Sequence, residues 1–443
     1  MLRRLTIGGE RGAGLGRVRV LSRGPLNGRV KPPPSKSYTH RSVLLASLAE
    51  GESRLTNVLF SRDTNATISA CTAMGARLTP SGSGEGMRIV GAKPRAPADV
   101  VNVENSGTTL RFMTSVLSLA KEGDSVLTGD SSIRSRPMQP LLDALGRLGV
   151  QAWSALKNGR APIIVKGGGM KGGETKIRGD VSSQFVSSLL ISSPMAEGST
   201  TIAVEDAVSR PYLEATLATM KSFGVEVGRD EFSEFEVAPA SYEPADFAVP
   251  SDFSSASFIM AAATVTGGSV KLENLNREYP QGDSAILEIL KSMGVEVVTN
   301  GNSVTINAEG GRLKGGKFDL RDTPDLLPVV SVLALKCDSP VEIVGTAHAR
   351  FKETDRIAAV ASELKKLGVE VEERSDGLLI PPPSKLRSAP LDAHDDHRMF
   401  MALSIASLLI PEGVPILGVE SLDVSYPSFL EDLERLGATV KWE

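Results

Sequence analysis

Six short polar clusters hold most of the residues able to do chemistry. KPPPSKSYTHR places Lys36 and Arg41 around Ser35 and Ser37, and ENSGTTLR supplies Asn105, Ser106 and Gly107. DVSSQF supplies Ser182, Ser183 and Gln184, hydroxyls and an amide of the kind that contact phosphates without adding charge. Ser254-Ser255, Thr323-Pro324-Asp325 and Asp395-Asp396-His397, followed by Arg398, complete the set. Two further segments add charge. GDSSIRSRPM puts Arg134 and Arg136 on a short loop, and HARFKETDRIAAV gathers Lys352, Glu353, Asp355 and Arg356. Lys352 and Arg356 are spaced i, i+4, which predicts one helical face. Many cations with a few carboxylates suit the binding of anions and the movement of protons between them. His394 and His397 stand beside Asp395 and Asp396, but no further His or Cys cluster completes a metal site, so none is expected.

Each polar cluster is followed by a strongly apolar stretch: VLLASLA, LRFMTSVLSLA, FVSSLLISSPMA, ASFIMAAATV, LLPVVSVLAL and MFMALSIASLL. Such stretches predict helices buried on nearly all sides. Lys36, Ser106, Ser183, Ser254, Asp325 and Asp396 mark the starts, at spacings of 70, 77, 71, 71 and 71 residues. A second pattern keeps the same rhythm, an amphipathic helix ending in glycine and then a strand. Its glycines are Gly75, Gly149, Gly224, Gly294, Gly368 and Gly437, each suited to a helix C′ position. A unit of about 70 residues with a buried helix cannot close alone, so the six copies predict two halves of three units around a cleft. Helix starts carry partial positive charge and unpaired N–H groups. Plain N-capping accounts for any one of them, but lysine and arginine at a positive helix end cost energy unless an anion sits there. Ala240–Val249 and the proline-rich Gly28–Pro34 are candidate crossovers; if both cross, the first strands pair with the second half.

Composition narrows the function. The 443 residues are 41% hydrophobic and 23% charged, with a net charge of −4, which argues against a nucleic-acid partner. The longest apolar run, Met399–Ile410, is short of the ~20 residues of a membrane span. The opening MLRRLTIGGERGAG lacks the apolar core of a signal peptide and reads as a short extension before the first strand. Two cysteines, Cys71 and Cys337, make no disulfide framework, and a reducing, cytoplasmic setting is expected.

PPPSKSYTHR, NSGTTLR, SRPM, SSQF, SRPY, FKETDR and DHRM, in that order, resemble the motif series of the 5-enolpyruvylshikimate-3-phosphate synthase family of enolpyruvyl transferases. The likeness runs from about Gly28 to Pro427. It implies an α/β fold, a two-domain inside-out α/β barrel with three βαβαββ repeats per domain around buried parallel helices and the active site in the interdomain cleft. With the repeats, it divides the chain into a domain of 36–245 and a discontinuous one of 1–35 and 246–443. It implies transfer of the enolpyruvyl group of phosphoenolpyruvate to the 5-hydroxyl of shikimate 3-phosphate with loss of phosphate, in the shikimate pathway to chorismate and the aromatic amino acids. By motif, shikimate 3-phosphate would be held by Lys36, Ser37, Arg41, Ser182, Ser183, Gln184, Ser209, Asp325, His348 and Lys352. Phosphoenolpyruvate would be held by Lys36, Gly107, Arg136, Gln184, Arg356 and Arg398. Asp325 would accept the hydroxyl proton and Glu353 donate one to the methylene carbon, with Lys36 bridging both substrates. No metal or organic cofactor is implied, glyphosate would compete with phosphoenolpyruvate, and the family is mostly monomeric.

Two positions depart from the family pattern. Val424 stands where a lysine often precedes the Ser/Thr–aromatic–Pro triplet, here Ser425-Tyr426-Pro427, and His348 stands where many members have Asn. Gly107 and Thr108 match the glyphosate-sensitive pattern, whereas Phe112 and Val424 do not. The sister transferase acting on UDP-N-acetylglucosamine is the nearest rival. It typically has a Lys-Asn pair where this chain has Lys36-Ser37, and a reactive loop cysteine, whereas Cys71 and Cys337 read as core. A mere anion-binding module is disfavoured by Asp325 and Glu353, which weaken anion binding.

Overall fold

The computed structural model describes residues 16–82, 84–308 and 311–443. The amino-terminal extension expected from sequence, and the first part of the segment 1–35, therefore lie largely outside the described residues.

The six polar clusters do open six buried helices. These are α1 (Lys36–Leu48), α2 (Gly107–Val116), α3 (Ser183–Ser192), α4 (Phe253–Thr266), α5 (Leu327–Leu333, entered through a tight turn at Pro324–Leu326) and α6 (His397–Leu408). Their hydroxyl residues could not be buried unless hydrogen-bonded. Each helix solves this by a bond to the carbonyl four residues back: Ser47 to Val43, Thr114 to Leu110, Ser192 to Ser188, Thr264 to Met260, Ser331 to Leu327 and Ser404 to Phe400. The amphipathic helices of the second pattern also form, and the glycines that end them have φ between +82° and +121°. Side chains with a Cβ are strained in that region, which is why the sequence places glycine there.

Each repeat builds one four-stranded sheet, with one parallel pairing followed by two antiparallel ones. Three of these sheets borrow a distant strand. Gly28–Val30 lies parallel to Ser269–Leu272, and Val18–Leu21 fits between Ile416–Leu417 and Thr439–Trp442. Asp246–Ala248 lies parallel to Arg54–Thr56. The boundary drawn after residue 245 assigned that strand to the second half, yet it completes a sheet of the first. The crossing comes a few residues later, where Pro34 and Ser251 form a bridge flanked by Ser35 N–H to Pro250 O (2.7 Å) and Asp252 N–H to Pro33 O (2.8 Å). Both crossovers thus run side by side as a two-stranded joint. One apolar core spans Tyr38 to Val249, and the other combines Val18–Val30 with Phe253–Ala438. The fold is a two-domain α/β architecture with three repeats on each side of a cleft. Among the described residues no helix is long and apolar enough to cross a membrane.

Two local expectations fail. Lys352 and Arg356 do not share a helical face, because Asp355 accepts the N–H of Ala358 and caps a helix that begins only at Arg356. Lys352 and Glu353 sit in the turn before it, after a tight 3-10 stretch at Ala347–Phe351. Nor are Arg134 and Arg136 on a free loop. Asp130 caps a single helical turn, Ser131–Ser135, which leaves Arg134 exposed and Arg136 buried at its end.

Candidate active site

The helix starts converge. Lys36, Ser37, Arg41, Gly107, Arg136, Ser182, Ser183, Gln184 and Ser209 from one half, and Asp325, His348, Lys352, Glu353, Arg356 and Arg398 from the other, all line one cleft. Seven cationic side chains face three carboxylates there, Asp63, Asp325 and Glu353, an excess of four positive charges in a molecule whose net charge is −4. Such a cleft concentrates anions.

The cations are of two kinds. Arg41, Arg111 and Arg136 have no carboxylate within ion-pair distance among the described residues. Arg41 donates to Thr216 Oγ1 (2.8 Å) and the Tyr212 carbonyl (3.0 Å), with its guanidinium 5.4 Å from the centre of the Phe112 ring. Arg111 donates to Gln184 Oε1 (2.9 Å), and Arg136 to Asn105 Oδ1 and Ser132 Oγ (both 3.1 Å). The Nε groups of Arg111 and Arg136 are buried without a partner among the described residues. Burial lowers Arg41 to about 10, and burial beside Arg136 lowers Arg111 to about 9, so both stay charged at neutral pH. Three guanidiniums in this state are sites for an anion.

The other cations are tied to carboxylates. Lys36 Nζ is 3.1 Å from Asp63 Oδ2. Asp325 Oδ1 accepts from Arg356 Nη1 (2.6 Å) with Lys352 Nζ at 3.5 Å, and Oδ2 accepts from Tyr212 Oη (2.8 Å) and Arg398 Nη2 (2.9 Å). Arg356 is fully buried and also donates to Glu353 Oε2 (2.6 Å) and Asp396 Oδ2 (2.7 Å). Burial works to raise both carboxyls, but Arg398, Lys352 and Arg356 at Asp325, and Arg356 and Arg136 at Glu353, leave each well below its ordinary range. His348 lies across the cleft from Ser209, with Nε2 3.2 Å from Oγ, and burial lowers it to about 4, so it is neutral.

Gly107 keeps the start of α2 open to its neighbours. A Cβ there would stand 2.3 Å from Arg111 Nη1 and 2.7 Å from Arg136 Nη1. Its missing side chain makes room for two guanidiniums at the start of α2.

Sequence reasoning gave no role to Tyr212, Arg111 or Asp63, three polar residues that line the cleft. Tyr212 and Arg111 lie within SRPY and NSGTTLR, and each is one helical turn from an assigned residue, Ser209 and Gly107, a spacing that could have found them. Asp63 belongs to no quoted motif. Phe351, 53% exposed, is an apolar side chain at the edge of this polar cleft. Val424 is buried in the turn Val419–Val424 and is not among the residues lining the cleft.

A family model described as EPSP synthase (3-phosphoshikimate 1-carboxyvinyltransferase) matches residues 20–433. A protein named 3-phosphoshikimate 1-carboxyvinyltransferase from Methanothermobacter thermautotrophicus is 47% identical over 94% of this chain and 97% of its own. One of the same name from Methanocella arvoryzae is 46% identical over 95% and 99%. The solved EPSP synthase of Acinetobacter baumannii superposes with a TM-score of 0.80 at 29% identity, covering 97% of this chain and all of that one. The enolpyruvyl transferase NikO of Streptomyces tendae, at 18% identity and a TM-score of 0.78 over 97% and 99% of the two chains, shares the fold.

Proposed function

The chain belongs to the EPSP synthase family, and from that membership we propose how its cleft carries the family's chemistry. The reaction is transfer of enolpyruvyl from phosphoenolpyruvate to the 5-hydroxyl of shikimate 3-phosphate, with release of phosphate, in the shikimate pathway. The observation that carries the residue assignment is the meeting of fifteen assigned residues from five of the six repeats in one cation-rich cleft.

In this reading Ser182, Ser183, Gln184 and Ser209 take the phosphate side of shikimate 3-phosphate. Lys36, Ser37 and Arg41 hold the rest of it, and Asp325, His348 and Lys352 complete the site. Phosphoenolpyruvate, the second anion, lies against Lys36, Gly107, Arg136, Gln184, Arg356 and Arg398. Asp325 accepts the hydroxyl proton as the oxygen attacks C2, Glu353 protonates C3, and the tetrahedral adduct collapses with loss of phosphate. Holding both reactants between two bodies supplies orientation and excludes water. The bodies themselves are domains that close on the substrates, 36–245 plus the strand Asp246–Ala248 forming one and the rest the other. The chain acts as a monomer, and glyphosate competes with phosphoenolpyruvate.

Phosphate release from purified protein tests the reading, with each substrate omitted in turn and UDP-N-acetylglucosamine as the alternative acceptor. Release that requires both shikimate 3-phosphate and phosphoenolpyruvate is the expected result. Turnover with the nucleotide sugar instead would overturn it. Asp325→Asn should abolish turnover while shikimate 3-phosphate still binds.

A further inference from the structure

In the arrangement seen, neither carboxylate given a proton-transfer role holds a proton. That suits Asp325 as a base but not Glu353 as an acid, and one residue underlies both states. Arg356 reaches Asp325 through Nη1 and Glu353 through Nη2, each at 2.6 Å. Its third contact is different in kind. Nε meets Asp396 Oδ2 at 2.7 Å, and Asp396 does not line the cleft. Asp396 is fully buried and also caps α6 by accepting the N–H of Arg398 (2.8 Å), so it fixes one edge of the guanidinium while the other two nitrogens meet groups of the cleft. Nη2 also reaches Asp396 Oδ1 at 3.4 Å, so four of the five N–H donors of Arg356 are engaged, and an anionic second substrate competes with Asp325 and Glu353 for its Nη groups.

Resting on the reading above, we propose that Arg356 is a switch: its Nη groups move from Asp325 and Glu353 to the anionic phosphoenolpyruvate, and Glu353 then takes from water the proton it gives to C3. The bonds balance. In the addition the C2–O bond forms, the hydroxyl proton goes to Asp325 and the Glu353 proton makes the new C3–H bond. In the elimination that C3–H bond breaks and its proton returns to Glu353. The C–O bond to phosphorus breaks, and phosphate leaves with the bonding pair and the proton held on Asp325. When phosphate departs, Arg356 pairs again and Glu353 returns its proton to water.

The charged surroundings favour this assignment. Glu353 also feels Arg136, Arg111, Lys36 and Lys352, with the neutral His397 beside it. Arg356 is the only cation within ion-pair distance of Glu353 among the described residues. Asp325 keeps Lys352 and the Tyr212 hydroxyl when its arginine contacts are drawn off, while burial raises the neighbouring Asp283 to about 7, so it adds little negative charge below that pH. Losing Arg356 therefore changes Glu353 more than Asp325.

Sulfate is the probe, a tetrahedral dianion that does not titrate near neutrality. Its binding is followed calorimetrically at pH 5.5–7, with shikimate 3-phosphate present, in two buffers of different ionisation enthalpy. The wild type should take up close to one proton per sulfate at the acid end. Glu353→Gln should bind sulfate at least as tightly with that uptake gone. No uptake in the wild type, equal uptake in Glu353→Gln, or no sulfate binding by either protein would overturn the switch. A crystal structure of the sulfate complex gives an independent check that needs no variant. Arg356 should stand apart from Glu353 there, and a retained 2.6 Å contact would overturn the proposal. Phosphate release keeps the two failures apart: turnover without proton uptake removes the switch alone, and absence of turnover removes the underlying reading.

Discussion

Gly107 and Tyr212 show how much of the cleft depends on atoms that never meet a reacting bond. The ends of Arg111 and Arg136 would move to admit a Cβ at 107, since both are flexible side chains. Gly107→Ala should therefore fold normally but raise the KM for phosphoenolpyruvate by about tenfold or more, a loss of ~1.4 kcal/mol. Steady-state kinetics beside a thermal melt checks this, and an unchanged KM would mean the two guanidiniums need not stay where they are. Tyr212 donates from one half to Asp325 in the other. Burial, with Asp283 and Asp325 nearby, pushes its hydroxyl well above the ordinary range, so it remains a donor at every working pH. A hydrogen bond to a charged group contributes about 1.5–3 kcal/mol, so Tyr212→Phe should lower kcat about ten- to a hundredfold. The KM for shikimate 3-phosphate should change less, and an equal rise in KM with kcat intact would assign the hydroxyl to substrate binding. At this scale the motifs picked out residues that do meet in one cleft, because seven motifs in order say more than any single helix start, which capping alone would explain. Asp63 was illegible: it meets Lys36 only through the packing of two helices, and nothing within 27 residues of chain announces that contact.

The elements were legible from their recurrence, since a buried helix and a glycine-ended helix returned together in every repeat. What recurrence could not give was the local capping that shortens or inserts a turn, as Asp355 and Asp130 do. The segment leading into α6 is held in the same local way. Glu363, buried in the helix Arg356–Lys366, accepts His394 Nε2 (2.9 Å), Lys366 Nζ (2.8 Å) and the N–H of Asp392 (3.0 Å). His394 and Asp395 both sit at positive φ, a conformation unfavourable for residues with a Cβ. The hydrogen bond that His394 donates to Glu363, together with that carboxylate's charge, raises the His394 pKa above 6.5 against the effect of burial. A raised histidine contributes stability that is complete below 6.5 and fades as pH climbs through the folded value. The Tm of the wild type should thus exceed that of His394→Ala most at pH 6, with the gap narrowing toward pH 9. A gap independent of pH would mean that packing, not charge, holds the segment.

At the scale of the whole molecule, two bodies joined by a narrow two-stranded crossing must be drawn together by groups on their facing surfaces. The crossover segments were legible as Pro-rich or irregular chain between repeats. Their strand partners were not, because pairing Val18–Leu21 with Thr439–Trp442 is set by the closure of the last sheet. The facing contacts are both aromatic and polar: the Tyr279 ring packs edge-on against Tyr38 and Phe247 of the opposite body, with centroids 5.4 Å apart in each pair. Tyr38 Oη donates to the Pro280 carbonyl (2.8 Å), Ser132 Oγ to the Glu353 carbonyl (3.1 Å), and the N–H of Ser209 to the Arg321 carbonyl (3.3 Å). Beside Ser209, which sits at φ +53°, Arg210 grips Asp322 of the opposite body through both carboxylate oxygens. This pair is partly exposed, so it contributes under about 1 kcal/mol to folding. Under the closure proposed above, its leverage lies in the equilibrium between open and closed forms, which separates the bodies without exposing either core. Arg210→Ala should leave the Tm within about 2 °C. It should raise the KM of both substrates together, because both are bound by residues contributed from each side. Added salt should bring the wild type toward the variant, since screening weakens an exposed pair. Small-angle scattering with shikimate 3-phosphate present gives the direct reading, a larger radius of gyration for Arg210→Ala than for the wild type. Equal radii, with a rise in KM for one substrate only, would place Arg210 in a binding contact and leave closure to the substrates themselves.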